Sequence, residues 1–268
     1  MLAPFLIMLR EGLEAALIVG IIASYLRQTG RAQWLPAIWV GVFLAVAISL
    51  FAGAAVLLAG QEFPQKTQEL FEAIVGLVAV GVLSYMVFWM RGAARSITGQ
   101  LHDAVDGAFS SARTTWALIG MAFIAVAREG LESVFFLLAI FQQSTGLAAP
   151  LGALGGVVVA VVLGLGIYWG GVRLDLRRFF YWTGAFILLV AAGLLSGVLR
   201  NLHEAGIWNL LQTRVFDWSQ VLPNSSVLGT VLSGLVGYHE SPTQGEVLAW
   251  LTYLVLALVL FLRSGKQS

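Results

Sequence analysis

Two copies of the pentapeptide Arg-Glu-Gly-Leu-Glu lie inside apolar segments of this sequence, at residues 10–14 and 128–132. Each segment is long enough to cross a lipid bilayer as a helix, which takes about 20 apolar residues. Charged side chains are costly in hydrocarbon and are retained there mainly where they serve a function. The two copies therefore predict a paired functional site inside a membrane protein.

The composition supports this interpretation. Of 268 residues, 59% are hydrophobic and 11% are charged, whereas soluble domains average about 25% charged residues. The formal net charge of +1 gives no reason to expect nucleic acid or an acidic partner. The chain has no cysteine, which excludes disulfides, thiolate metal sites and cysteine nucleophiles. With only three histidines, a bound metal would be held mainly by oxygen, which suits hard cations.

Seven apolar stretches are predicted to span the membrane. They cover approximately Leu2–Leu26, Leu35–Ala59, Leu70–Met90, Trp116–Phe141, Leu151–Val172, Phe179–Leu199 and Glu246–Leu262. Of the 15 Lys and Arg residues, ten lie in the connections on one side, three on the other and two within the motifs. The positive-inside rule then predicts that the N-terminus lies outside and the C-terminus in the cytoplasm.

The two motifs are predicted to lie on antiparallel helices, because an odd number of crossings separates the first span from the fourth. Spans one to three, about 2–91, and spans four to six, about 116–200, would form an inverted-topology repeat, a common construction in transporters. We thus expect residues 1–268 to form a single all-α transmembrane domain, with an outer loop at about 201–245 and a seventh helix at about 246–262.

The outer loop carries two apolar segments. Trp208, Leu211, Val215 and Trp218 recur at helical spacing, which predicts an amphipathic helix lying on the membrane. Residues 227–236 are apolar but too short to span. They are re-entrant, cap the outer mouth or form a surface helix, and the surface helix is the favoured interpretation.

Helical geometry places the charges of each motif on one face. At about 100° per residue, Arg10, Glu11 and Glu14 fall within an arc of about 100°, and Gly12 points roughly the other way, where a neighbouring helix can approach closely. The structural alternative is a pair of salt bridges, Arg10 with Glu14 and Arg128 with Glu132, that merely hold helices together. It leaves one buried carboxylate per motif unpaired, which requires a proton or a cation. The predicted cation ligands are Glu11, Glu14, Glu129 and Glu132, with Arg10 and Arg128 as supporting charges.

A second acidic group lies near the outer end of the third span. Glu69 and Glu72 are three apart on one helix face and are further candidate metal ligands; alternatively, they complement a helix dipole. Glu204 is a plausible partner of Arg200, and a lone interfacial histidine is more often structural. The candidates for metal capture at the outer mouth are Glu62, His203 and Glu204.

The paired motifs resemble those of the oxidase-dependent iron permease family, the RExxE iron transporters, and most closely the bacterial EfeU-type iron permeases. The similarity extends over residues 4–19, 62–66, 68–72, 87–91, 125–138 and 203–206. It implies that Glu11, Glu14, Glu129 and Glu132 carry iron as a transported substrate across the inner membrane, with the N-terminus in the periplasm. It also implies two periplasmic partners, a cupredoxin-like iron-binding protein and a haem peroxidase, alongside membrane lipid.

The sequence therefore predicts an iron permease with its site near the membrane midplane and no permanently bound cofactor. One alternative is transport of another divalent cation, such as manganese or lead. Another is an intramembrane metal-dependent oxidoreductase, against which stands the absence of the Glu-x-x-His pattern of such sites. A third is a structural membrane subunit. The chain has no HExxH, P-loop or GxSxG motif, so a secondary transporter is expected and not an enzyme.

Overall fold

The computed structural model describes residues 2–61, 64–93, 97–111, 113–142, 147–169 and 175–264. Within these ranges the chain forms nine α-helices and no β-strand. The helices are α1 Leu2–Gln28, α2 Leu35–Gln61, α3 Gln65–Ala93, α4 Ile97–Phe109, α5 Thr114–Gln142, α6 Ala148–Tyr168, α7 Leu176–Glu204, α8 Val227–Val236 and α9 Gln244–Ser264.

Five of these helices are long and apolar enough to cross a membrane. They contain the segments Ala32–Leu58, Gln65–Trp89, Ala148–Tyr168, Arg178–Glu204 and Gln244–Arg263. Helices α1 and α5 are 27 and 29 residues long, and each contains one charged pentapeptide. Large apolar side chains such as Phe51 of α2 and Val162 of α6 are exposed, as expected for a surface in contact with lipid. The described part of the chain thus has the helices of a membrane protein and no strand.

Three helix pairs carry most of the packing: α1 with α6, α2 with α5, and α3 with α7. Helix α1 also contacts α5, and α9 packs against α7. Buried residues near the start of α1, including Ile7, cluster with Phe136 near the end of α5. Ile22, near the end of α1, clusters instead with Leu118 near the start of α5. The two motif helices therefore cross in opposite directions.

Small residues at every fourth position let these helices approach closely. They are Gly41, Ala45, Ser49 and Gly53 in α2, and Gly152, Gly156, Ala160 and Gly164 in α6. A Cβ atom added to Gly12 would lie 2.6 Å from the Ala160 Cβ, and one added to Gly130 would meet the Ser49 side chain. The close approach predicted at the motif glycines is confirmed, because only a missing side chain permits this backbone separation.

Helix α4 packs across α1 and α5 at the end of the bundle where α5 begins. Its Val105 and Ala108 are buried in the cluster that contains Ile22 and Leu118. Asp106 accepts hydrogen bonds from the Tyr25 hydroxyl, at 2.6 Å, and from Arg31 Nη1, at 2.9 Å. These contacts join α4 to α1 and to the turn that precedes α2.

The predicted amphipathic helix at residues 208–218 is wrong. Leu211 has a positive φ of 58°, and Arg214 forms an antiparallel bridge with Thr243. The backbone N–H groups of Val215 and Trp218 donate to carbonyls of the 240–243 segment, at 3.0 and 2.7 Å. Backbone groups need hydrogen-bond partners, and here a distant segment supplies them in place of a helical turn.

Helix α8 packs against the bundle. Gly237, at its C-terminal end, has a φ of 69°, and its backbone lies against Gly193 of α7. Gly193 is eleven residues from the end of α7, about 16 Å at the α-helical rise. This contact favours a segment that enters or caps the bundle over the surface helix that the sequence favours.

Candidate metal site

Three buried carboxylates converge where α1 crosses α5. One oxygen from each of Glu11, Glu14 and Glu129 lies within 4.8 Å of the others. These side chains are buried, and Glu11 is only 1% exposed. In the described part of the chain, no other three His, Asp or Glu side chains come together in this way. We call Glu11, Glu14 and Glu129 the central cluster.

The helices place these groups by simple geometry. Glu11 and Glu14 are three residues apart, so they share one face of α1. On the same two helices, Gly12 and Gly130 lie against α6 and α2. Each motif thus directs its glycine to a packing partner, while Glu11, Glu14 and Glu129 lie at the crossing of α1 and α5.

The fourth predicted ligand, Glu132, lies outside the central cluster. Its Oε1 accepts a hydrogen bond from Arg128 Nε at 3.1 Å, and its side chain is 17% exposed. The structure therefore brings together three of the four predicted metal ligands and places the fourth with an arginine.

Arg10 balances the central cluster incompletely. Its Nε lies 3.1 Å from Glu14 Oε1, yet neither atom makes a hydrogen bond, because the N–H does not point at the oxygen. Arg10 Nη1 and both carboxylate oxygens of Glu11 are also buried without a hydrogen-bond partner. Arg10 and Glu14 are thus close enough for their charges to attract each other, but several buried polar atoms of this group have no hydrogen-bond partner.

This arrangement is suited to a cation. With all groups ionised, three carboxylates face one arginine, which leaves an excess of two negative charges. Buried, unpaired charge is strongly unfavourable, and a divalent ion would neutralise that excess and occupy the free oxygens of Glu11. An all-oxygen ligand set suits hard cations.

A second acidic group lies where α3 begins and α7 ends. Glu72 accepts hydrogen bonds from Gln68, at 3.2 Å, and from Asn201 of α7, at 3.3 Å. Glu69 is close enough to interact electrostatically with Glu204, Glu72 and Arg200. We call Glu69, Glu72, Asn201 and Glu204 the Glu72 group. Because Glu72 is hydrogen-bonded to Asn201 of α7, a favourable interaction with the dipole of α3 alone does not account for its position.

The Glu72 group is far from the central cluster. Glu72 precedes Trp89 by 17 residues in α3, a rise of about 25 Å, and the Trp89 ring contacts Arg128. The two acidic sites are therefore separate.

The remaining candidates are placed as follows. The ring nitrogen Nδ1 of His203 lies 3.0 Å from the Trp208 carbonyl oxygen. This contact stabilises the turn after α7. Glu204 is exposed at the end of α7, beside Glu69. Glu62 lies outside the described residues.

Sequence reasoning missed two contacts of the candidate ligands. Asn201 donates to Glu72, and its place three residues before Glu204 on one helix face could have suggested it. The Arg128 guanidinium carbon lies over the Trp89 ring, 4.4 Å from the ring centroid. Nothing near Trp89 in the sequence signals this contact, because the two residues are 39 positions apart on different helices.

Comparison with known proteins gives matches over nearly the whole chain. Residues 1–264 match the iron permease FTR1 family. A protein of Yersinia pestis named ferrous iron permease EfeU is 56% identical over 269 residues, covering 100% of this chain and 95% of the relative. A protein of the same name from Escherichia coli O6:K15:H31 (strain 536 / UPEC) is 55% identical over 272 residues, covering 100% of this chain and 99% of the relative.

A third relative of that name, from Shigella sonnei (strain Ss046), is 55% identical over 262 residues, covering 97% of this chain and 95% of the relative. No solved structure matches. Because the family match and these relatives extend over nearly the whole sequence, the paired motifs, the apolar helices and the carboxylate cluster all fall within the matched region. The chain belongs to the iron permease FTR1 family.

Proposed function

We propose that this protein imports iron across the cytoplasmic membrane and that the central cluster is its transport site. One observation carries the proposal: Glu11, Glu14 and Glu129 are buried together in a member of an iron permease family. The nearby Arg10 leaves part of their negative charge without a hydrogen-bond partner. The relatives are named ferrous iron permeases, which favours iron(II) as the ion carried here.

Seven membrane spans arranged as an inverted repeat would place this site near the midplane. The packing supports the repeat. If α1, α2 and α3 correspond to α5, α6 and α7, then the α1–α6 pair corresponds to the α5–α2 pair, and the α3–α7 pair corresponds to itself. The contacts follow the same exchange. Gly12 meets Ala160 as Gly130 meets Ser49, and Gly164 meets Ala16 as Gly53 meets Val134.

Transport would proceed by alternating access. Buried apolar residues lie along α1 and α5 on both sides of the central cluster, with Ile7 and Phe136 towards one end and Ile22 and Leu118 towards the other. An ion must pass these packed layers, and movement of one repeat against the other is the usual way in such folds. With the N-terminus periplasmic, the Glu72 group faces outward and collects iron before it reaches the central cluster.

Arg10 and Arg128 would reduce the charge of the empty site, because arginine remains protonated. Import would also be coupled to protons, since carboxylates crowded in a low dielectric bind protons when the metal leaves. Iron flux into proteoliposomes with and without an imposed pH gradient tests the coupling. Flux that ignores the gradient would count against it.

The periplasmic partners implied by the family resemblance, a cupredoxin-like iron-binding protein and a haem peroxidase, would deliver iron at the Glu72 group. Co-purification of the chain with its periplasmic neighbours from iron-starved cells tests this part of the proposal. Rescue of iron-limited growth by the chain alone would show that delivery is dispensable.

A second candidate substrate is another divalent cation, such as manganese. The ligand set consists of carboxylate oxygens, which bind manganese as well as iron. Competition of manganese or lead with iron in the same flux assay separates the two candidates. Oxidoreductase chemistry is disfavoured, because the central cluster contains no histidine.

Uptake of iron(II) by proteoliposomes containing only this chain tests the function directly. We expect saturable uptake that is lost when Glu11→Gln removes the charge of the unpaired carboxylate. Asp103→Asn is a matched control, because Asp103 is exposed on α4, away from the cluster. Absence of iron uptake by the wild type, or equal uptake by Glu11→Gln, would overturn the proposal.

A further inference from the structure

The two motif arginines have the same position in their motifs but different surroundings. Each Nε lies 3.1 Å from the glutamate four residues later. Arg10 is buried with a 1% exposed side chain, whereas the Arg128 side chain is 44% exposed. The pentapeptides are identical, so the difference comes from the helices packed around them.

Arg128 is held at two points. Its Nε donates a hydrogen bond to Glu132, and its guanidinium lies 4.4 Å from the centroid of the Trp89 ring. A cation within about 6 Å of a tryptophan face is attracted by the ring, and tryptophan is the strongest such partner. Arg10 lies 6.0 Å from the Phe180 ring, at the limit of this interaction, and makes no hydrogen bond through Nε.

The Arg128 contacts decide where Glu132 lies. Three carboxylates form the central cluster, and the fourth is withdrawn to Arg128 at its edge. Complete coordination of a metal by both motifs requires Glu132 to leave Arg128 and turn towards Glu129. If Arg128 followed, its positive charge would enter a cluster with an excess of negative charge and compete with the metal.

We propose that Trp89 is a positioning residue that keeps Arg128 at the edge of the site while Glu132 moves between Arg128 and the metal. This inference rests on the proposed function, since it assigns Trp89 a role in iron binding at the same site. With Trp89 in place, the arginine releases its carboxylate without following it. Without Trp89, the arginine becomes a tethered competitor for the central cluster.

Equilibrium binding of iron(II) to the purified full chain, under anaerobic conditions, tests the proposal. We expect Trp89→Leu to weaken iron binding about tenfold, from the usual strength of a tryptophan–arginine contact. Trp89→Phe keeps an aromatic face and should bind within about threefold of wild type. Trp116→Leu is the matched control, because Trp116 is an exposed tryptophan on α5 itself and should leave binding unchanged.

A double-mutant cycle separates positioning from packing. In an Arg128→Gln background the guanidinium that would compete with the metal is absent, so Trp89→Leu should cause no further loss of iron binding. Wild-type affinity in Trp89→Leu, an equal loss in Trp116→Leu or Trp89→Phe, or a loss that persists with Arg128→Gln would each overturn the inference. If the wild-type protein itself binds no iron, the proposed function fails first and this inference falls with it.

Discussion

At the scale of single residues, the unpaired carboxylates decide the chemistry. Glu14 and Glu132 each have an arginine within 3.1 Å, so a purely structural role could account for them. Glu11 has two buried oxygens without a hydrogen-bond partner, and a salt bridge does not account for it. Glu11, which no arginine pairs with, is thus the carboxylate that a bound metal ion would stabilise most.

Glu11→Gln should separate stability from function. The amide has the same shape and no charge, so it should weaken iron(II) binding by about 100-fold or more, beyond the usual effect of a second-shell change. The metal-free variant should unfold at the same or a higher temperature than wild type, because a buried unpaired charge has been removed. Calorimetric titration and a thermal melt of the purified protein check both. A variant that binds iron normally but melts earlier would identify Glu11 as structural.

At the scale of helices, neighbouring glycines in α6 offer a test of the close packing. A Cβ atom on Gly156 would meet the Phe5 carbonyl oxygen and lie 2.9 Å from the Leu9 nitrogen, whereas one on Gly155 would lie 3.5 Å from the Phe5 ring. We expect Gly156→Ala to destabilise the protein by about 1–3 kcal/mol, as overpacking does. Gly155→Ala should be neutral or slightly stabilising. Thermal melts in detergent compare the two, and equal melting temperatures would contradict the packing.

The contact of α4 with α1 predicts a dependence on pH. The Tyr25 hydroxyl and Arg31 donate to Asp106 and hold the pKa of its carboxyl below the ordinary value of 3.8. A depressed pKa means that the contact stabilises fully above about pH 4 and is lost as pH falls through the lowered value. The protection factors of the α4 amides, which compare observed exchange with the intrinsic rate at each pH, should therefore fall on acidification below pH 4. Asp106→Asn should exchange faster already at neutral pH and lack the acid step; an unchanged step would assign it to another group.

At the scale of the whole molecule, the two separate acidic sites imply two stages of transport. If the Glu72 group only collects iron, then Glu72→Gln should raise the KM for uptake several-fold and leave kcat near the wild-type value, since capture precedes translocation. Asn201→Ala should have a smaller effect in the same direction, because it removes one hydrogen bond to Glu72. Initial rates of iron uptake into proteoliposomes measure both. A fall in kcat without a change in KM would place Glu72 in the translocation step.

Much of the candidate site was predictable from the sequence, because helical periodicity is a local property. The apolar runs predicted the long helices, and the motif spacing predicted that Glu11 and Glu14 share a face opposite Gly12. The same geometry predicted that a neighbouring helix approaches closely at Gly12, while its identity, α6 with Ala160, came from the structure. The family resemblance is confirmed by a family match over residues 1–264.

Local rules were sufficient to predict charged faces inside apolar helices, because the helix repeat and the cost of burying charge do not depend on neighbouring elements. The contacts that only the folded chain shows are those of Glu129 with Glu11 and Glu14 of α1, of Trp89 with Arg128, and of residues 208–218 with a distant segment. These outcomes depend on contacts between residues far apart in the chain, where local periodicity carries no information.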